Sequence, residues 1–436
     1  MTLRTSCTAA IVAALLAGDG SAQSHRGGVV SSLNVEFDPP GIVAGDRNLA
    51  WVAGIPAPVQ AAVGAEPEMN LRLTISALPD TRDFVIEITN AFGTVFETIR
   101  GEDLTVGEVY WTLTVPANFA EVSVYGVDAL DGLAFEIDRV AFPVPGGALE
   151  SIFGDNDLIG VDNYDGDHAD VVASVESAVG RLTFFVDDIA RDYCTAFRVG
   201  PDLLQTSRHC IRDDATCDGA KILFGYKKNA FNATLRGQEV ACAEVIAAED
   251  ESAADTVLLR VVPSPDDEYA TVSFRDSDPD SEEPLFIVQH PGGATKQVSI
   301  VGCGREDDVI TGAEPHAFGH TCDTKGGSSG SPVFSLEGLV VGQQRAGHGN
   351  PDITDKLNLA TLGTLLTGVD APEAAEPVFA PATSTNHETS TDNATPLPLP
   401  TASESATANE SDGNAGDPTI VSPGSSGGGV APDTSN

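Results

Sequence analysis

Apolar and polar positions alternate with a period of two through much of the first third of the chain. The runs are Leu71-Arg72-Leu73-Thr74-Ile75, Phe84-Val85-Ile86-Glu87-Ile88-Thr89, Tyr110-Trp111-Thr112-Leu113-Thr114-Val115 and Val122-Ser123-Val124-Tyr125. This period sends successive side chains to opposite faces of an extended chain, so each run predicts a strand with one buried face. Gly, Pro, Asp and Asn separate the runs and supply the turns. Neither a cysteine nor a helical pattern interrupts residues 30–146. A small β-sandwich-like domain is the expected fold. It is either an accessory binding module or a propeptide that chaperones and masks the domain C-terminal to it.

Residues 147–170 change character. Asp155, Asp157, Asp162, Asp165, Asp167 and Asp170 crowd around glycines. The spacing of a calcium-binding loop is not met, and a solvated acidic linker is expected. From residue 171 to 368 short apolar runs return: Val179 to Phe184, Ile222 to Gly225, Val257 to Val262, Leu285 to Val288, Val298 to Val301 and Leu339 to Gln343. They predict more strands. Residues 355–367 instead carry apolar positions at helical spacing and end before Gly368, which predicts a terminal helix. Beyond residue 369 the chain turns to Ser, Thr, Pro, Ala, Asn and Gly, with no aromatic residue after Phe379. Such a composition buries too little apolar surface to fold, so a disordered tail is expected. The fold class is all-β.

Charge narrows the class of partner. The formal net charge is −42, with only 23 Lys and Arg together. A surface this acidic repels nucleic acid and anionic membranes. The first 22 residues read as a secretory signal: Arg4 is basic, Ala9 to Ala17 is apolar, and Gly20-Ser21-Ala22 offers a cleavage site. The apolar run is too short to span a bilayer. A secreted, soluble mature protein is expected.

Cysteine usage agrees with export. Cys7 falls in the signal, and six others lie between residues 194 and 322. Six cysteines allow 15 pairings. Proximity along the chain favours Cys194–Cys210, Cys217–Cys242 and Cys303–Cys322. No Cys-x-x-Cys or close Cys/His pair with ligand spacing occurs, so neither a metal nor another cofactor is expected.

The segment Gly326-Gly327-Ser328-Ser329-Gly330-Ser331-Pro332 packs small residues into one turn around the hydroxyl of Ser329. A serine hydroxyl becomes a nucleophile only when a base takes its proton and N–H groups receive the oxyanion. A base candidate stands upstream in Leu203-Leu204-Gln205-Thr206-Ser207-Arg208-His209-Cys210. A disulfide from Cys210 to Cys194 would fix the loop carrying that imidazole. An acid, Asp255, opens the apolar run Thr256-Val257-Leu258-Leu259. The order His209, Asp255, Ser329 is that of the chymotrypsin arrangement.

Four blocks in this order resemble the trypsin-like (chymotrypsin-fold) serine peptidases over residues 171–368. They are Cys194-Thr195-Ala196-Phe197 with Thr206-Ser207-Arg208-His209-Cys210, the Asp255 block, Phe286-Ile287-Val288-Gln289-His290-Pro291-Gly292-Gly293, and Gly327-Ser328-Ser329-Gly330-Ser331-Pro332-Val333-Phe334. The resemblance is nearest to the bacterial-type branch that includes the glutamyl endopeptidases. It implies two six-stranded β-barrels with a site in the crevice between them, and a disulfide Cys194–Cys210 beside the histidine. It also implies protein or peptide substrates, cleaved by a serine endopeptidase. His209 would be general base and acid, Asp255 its orienter, Ser329 the nucleophile, and the Gly327 and Ser329 amides the oxyanion hole. His290 reads as a structural turn residue.

Two departures matter. The residue before the nucleophile is Ser328, where animal trypsins carry an aspartate that pairs with a newly cut N-terminus. Gln344 stands where glutamyl endopeptidases carry a histidine. The expected specificity pocket holds Asp323, Thr324, Gln344 and Arg345, with Asp323 either a reader of basic side chains or a turn cap. The competing reading for the whole chain is a catalytically silent peptidase-fold binding or adhesion protein. Oligomeric state is not legible.

Overall fold

The computed structural model describes residues 26–37, 49–57, 67–126, 130, 132–143, 150–186, 190–249, 254–262, 269–306, 316–347 and 357–366. The expected signal segment and the tail beyond 369 lie outside them. Strands dominate, and the chain is all-β as its periodicity predicts.

The N-terminal runs form two facing antiparallel sheets. One orders Leu49–Pro56, Phe119–Gly126, Phe84–Asn90 and Val95–Arg100. The other orders Arg26–Glu36, Ala134–Pro143, Asn70–Ala77 and Val109–Trp111. Leu71, Leu73 and Ile75 of one sheet share a core with Ile86, Ile88, Val122 and Val124 of the other, all fully buried. The period-two pattern is thus spent on a sandwich interior, where each such side chain contributes about 1.5–3 kcal/mol.

This sandwich is not a separate bead. Arg26–Glu36 also pairs with Ala190–Arg198, so one sheet runs from the sandwich into a barrel. The barrel orders Val179–Val186, Lys221–Leu223, Glu239–Glu249, Thr256–Val261, Leu203–Ser207 and Ala190–Arg198. It closes where Val179–Val186 meets Ala190–Arg198. Every residue of Ala190–Arg198 is buried, as expected for a strand with neighbours on both edges. Trp111 of the sandwich stacks on Phe185 of the barrel, ring centres 3.8 Å apart. Glu68 is buried between Arg181 and Arg191, with N–O distances of 3.1 and 3.0 Å, and also pairs with Arg236.

A second ring orders Leu285–Gln289, Pro332–Ser335, Leu339–Ala346, Asn358–Leu362, Ala317–His320 and Arg305–Glu306. A bridge between Pro284 and Gly304 closes it, and Gln297–Ser299 extends it on the outer side of Leu285–Gln289. Phe286, Val288, Phe334 and Val340 fill one side of its sheet and Leu285, Ile287, Val333 and Val341 the other.

Two expectations are corrected here. The helix predicted over 355–367 is a strand, Asn358–Leu362, followed by a single 3-10 turn, Gly363–Leu365. Its pattern fits either period, and pairing with Ala317–His320 and Leu339–Ala346 selects the strand. The acidic segment is not a free linker where it is described. Glu150–Ser151 pairs with Thr324–Lys325, and Ile159–Gly160 pairs with Gln297–Ser299. A short helix, Ala169–Val175, crosses the boundary expected at residue 171. Asp162 is held by Lys227 at 2.8 Å. The acidic composition obscured these pairings because they use backbone groups rather than side chains.

Candidate active site

His209 leaves the end of the strand Leu203–Ser207, two residues past its last paired position. Cys194 and Cys210 are joined in a disulfide that ties this loop to the neighbouring strand. The His209 ring lies within 4.8 Å of both sulfur atoms, which are thereby spent and offer no metal a thiolate. Cys217–Cys242 and Cys303–Cys322 are the other two pairs, as spacing along the chain predicted.

Asp255 precedes the strand Thr256–Val261 and adopts a positive φ of 49°. Its carboxylate is buried and grips His209 twice. Oδ2 lies 2.8 Å from Nδ1, and Oδ1 accepts the His209 backbone N–H at 3.0 Å. The Asp255 carbonyl accepts from the Arg208 N–H and from Gln343 Nε2, both at 3.2 Å. Asp255 is therefore held from both barrels. Glu249 ends the preceding strand, and Asp250 and Glu251 lie outside the described residues.

Ser329 sits half-buried at the head of the Gly-Ser turn. Thr195 belongs to one of the quoted motifs, but its role was not visible in the sequence. Its N–H donates to Ser329 O at 2.9 Å and its hydroxyl to Gly327 O at 2.9 Å. That hydroxyl also accepts the His290 N–H, and the Thr195 carbonyl accepts from Thr206 Oγ1. Gly330 presses on the same strands: a Cβ there would lie 2.2 Å from Thr195 O and 3.0 Å from Ser207 N. The Ser329 turn thus rests on the strand end that carries His209.

Gly327 has φ +93°, open to glycine at no steric cost. Around it the amides divide. Ser328 N donates to Lys325 O, Gly330 N to Gln344 O and Ser331 N to Ser328 O. Among the described residues no protein acceptor takes the amides of Gly327 or Ser329.

The pocket candidates separate. Asp323 is buried and inward-facing, yet both its oxygens are occupied: Oδ1 accepts Phe153 N and Oδ2 accepts Asp157 N, each at 2.8 Å. Thr324 is buried in the pairing with Ser151. Gln344 Oε1 accepts from His320 Nε2 at 2.6 Å, and Gln344 Nε2 donates to Ala346 O. Arg345 is half-buried on the same strand. His320 is a second residue whose role the sequence did not show. Burial lowers its ring to about 4, against the opposing pull of the Gln344 bond. His290 is wholly buried, bonded through Nδ1 to Ala294 O at 2.9 Å and stacked on Tyr226. Burial, then the charge of Lys296, holds it well below the ordinary histidine range, which suits a structural part.

Known proteins resemble part of this chain. A secreted RxLR effector protein 73 of Plasmopara viticola is 24% identical over 159 residues, which is 34% of this chain and 40% of that protein. This chain therefore spans under half of that relative's length. The Rv3671c protease from M. tuberculosis, in its active form, is 19% identical, covering 45% of this chain and 80% of that one, with TM-score 0.32. The structure of Deg5 is 15% identical, covering 44% of this chain and 87% of that one, also with TM-score 0.32. Residues 194–342 match the model of the trypsin-like peptidase domain. That matched stretch, less than half of this chain, holds His209, Asp255 and Ser329.

Proposed function

We propose that this chain is a secreted serine endopeptidase acting on proteins or peptides through His209, Asp255 and Ser329. The observation that carries the reading is the double grip of Asp255 on His209, with Nδ1 to Oδ2 at 2.8 Å. That bond fixes the tautomer whose Nε2 is free to accept a proton. In the reaction, Ser329 Oγ attacks the carbonyl carbon of the scissile bond as its proton passes to His209 Nε2. The carbonyl oxygen becomes an oxyanion received by the N–H groups of Gly327 and Ser329, for which no acceptor stands among the described residues. The C–N bond then breaks, the amine leaves with the proton from His209, and an acyl ester remains on Ser329. Water, deprotonated by His209, attacks that ester and restores the serine. The expected signal segment and the three disulfides support export.

The test is labelling by a fluorophosphonate probe, wild type beside Ser329→Ala. The expected result is a labelled wild type and an unlabelled variant of equal fold. A folded wild type that takes no label would sink the peptidase reading and leave the silent binding protein in its place.

A further inference from the structure

The segment predicted to be a linker lies along the wall that leads into the nucleophile turn. We propose that residues 150–157 are a built-in clamp, and that Asp323 is the positioning residue through which the clamp sets that wall. On this view Asp323 does not read a basic substrate side chain. The proposal rests on the peptidase reading above.

The chain of contacts is short. Phe153 N and Asp157 N each donate to one oxygen of Asp323 at 2.8 Å. Two N–H bonds to one buried carboxylate are charge-assisted, and removing them would leave a buried charge uncompensated. Asp323 is only 3% exposed. A substrate ammonium or guanidinium would have to displace both donors to reach it. The Asp323 backbone is held as well, its N–H by Ser299 Oγ and its carbonyl by Gln289 Nε2, each at 2.8 Å. Asn358 Nδ2 donates to both Cys322 O, at 2.7 Å, and Ser151 O, at 3.3 Å, so one amide stitches clamp to wall.

From Asp323 the link continues to the reacting turn. Thr324 pairs with Ser151 and Lys325 with Glu150. Lys325 N donates to Ser328 Oγ at 3.0 Å, and Lys325 O accepts Ser328 N at 2.9 Å. Ser328 lies between Gly327 and Ser329, the two proposed oxyanion donors. The clamp thus reaches the oxyanion amides through one strand and one turn.

The test compares wild type, Ser329→Ala, Asp323→Ala, Asp323→Asn and Phe153→Pro, each checked for folding by thermal denaturation. Readouts are the fluorophosphonate labelling rate, and kcat and KM on matched peptides with Arg, Glu or Leu before the cut. We expect Asp323→Ala to lower kcat and labelling on the order of 10- to 100-fold for all three peptides alike, the scale of a small misplacement of reacting groups. Asp323→Asn should fall between, because its one carbonyl oxygen still accepts an amide. Phe153→Pro removes a donor without touching Asp323 and should reproduce the loss; it decides the matter if Asp323→Ala does not fold. A loss confined to the Arg peptide and to KM, with labelling intact, would overturn the proposal and make Asp323 a substrate reader. Unchanged rates in a labelled protein would also overturn it while leaving the peptidase reading standing. A wild type without label removes both.

Discussion

Asp255 holds His209 at two points, the ring Nδ1 by Oδ2 at 2.8 Å and the backbone N–H by Oδ1 at 3.0 Å. The first contact orients the imidazole and the second fixes the loop that carries it. Asp255→Asn keeps the size of the side chain but offers an NH₂ where an acceptor is needed. We predict a fall in kcat on the order of 10⁴-fold, the scale seen when such a histidine takes the wrong tautomer. Stability should change little. Peptide turnover at saturating substrate is the measurement, and a loss under tenfold would remove Asp255 from the role.

The sandwich and the first barrel are predicted to be one folding unit, because of Glu68. Burial by itself would raise this carboxyl. The guanidinium groups of Arg181, Arg191 and Arg236 outweigh burial and hold it well below the usual carboxylate range. The group is therefore ionised in the fold, and its stabilisation is present above the unfolded glutamate range and lost as pH falls toward the folded value. Glu68→Gln leaves three cations without their anion and should destabilise by about 3–5 kcal/mol in chemical denaturation at neutral pH. A specific nick introduced between residues 143 and 150 should leave the two fragments associated on gel filtration. Fragments that separate under native conditions would instead favour a removable propeptide.

Stability should also fall in mild acid, through His320 and His290. His320 is neutral in the fold, with Nε2 donating to Gln344 and Nδ1 accepting from Cys322 N. Burial lowers it to about 4, and burial with the charge of Lys296 holds His290 well below its ordinary 6.5. The unfolded chain takes up protons near 6.5 while the fold refuses them. Stability from these groups is complete above that pH and declines as pH drops toward about 4. Melting temperature followed from pH 7.5 to 4.5 should decline, and less steeply in His320→Gln. Parallel curves for wild type and variant would mean that His320 plays no part.

Much of this site was legible from residue types and their order. A base, an acid and a hydroxyl in the order His209, Asp255, Ser329, set in Gly- and Cys-rich surroundings, are the candidates which that order and the family resemblance nominate. The strands were legible too, because alternation in runs such as Phe84–Asn90 records which face is buried. The disulfides followed from short separations along the chain. Thr195 and His320 were not visible, since their importance lies in partners more than 20 residues away: Gly327 and Ser329 for one, Gln344 for the other.

Local pattern therefore determined the all-β class and the cysteine pairs, because each depends on the character of residues near in sequence, while the order of distant motifs nominated the candidate triad. Only the tertiary structure decided that Asn358–Leu362 is a strand and that Arg26–Glu36 joins the sandwich to a barrel. It alone decided that the oxygens of Asp323 are taken by Phe153 and Asp157. Those outcomes turn on backbone N–H and carbonyl groups finding partners across the fold. Every residue but proline carries both groups, so the amino-acid sequence leaves no mark of which ones will meet.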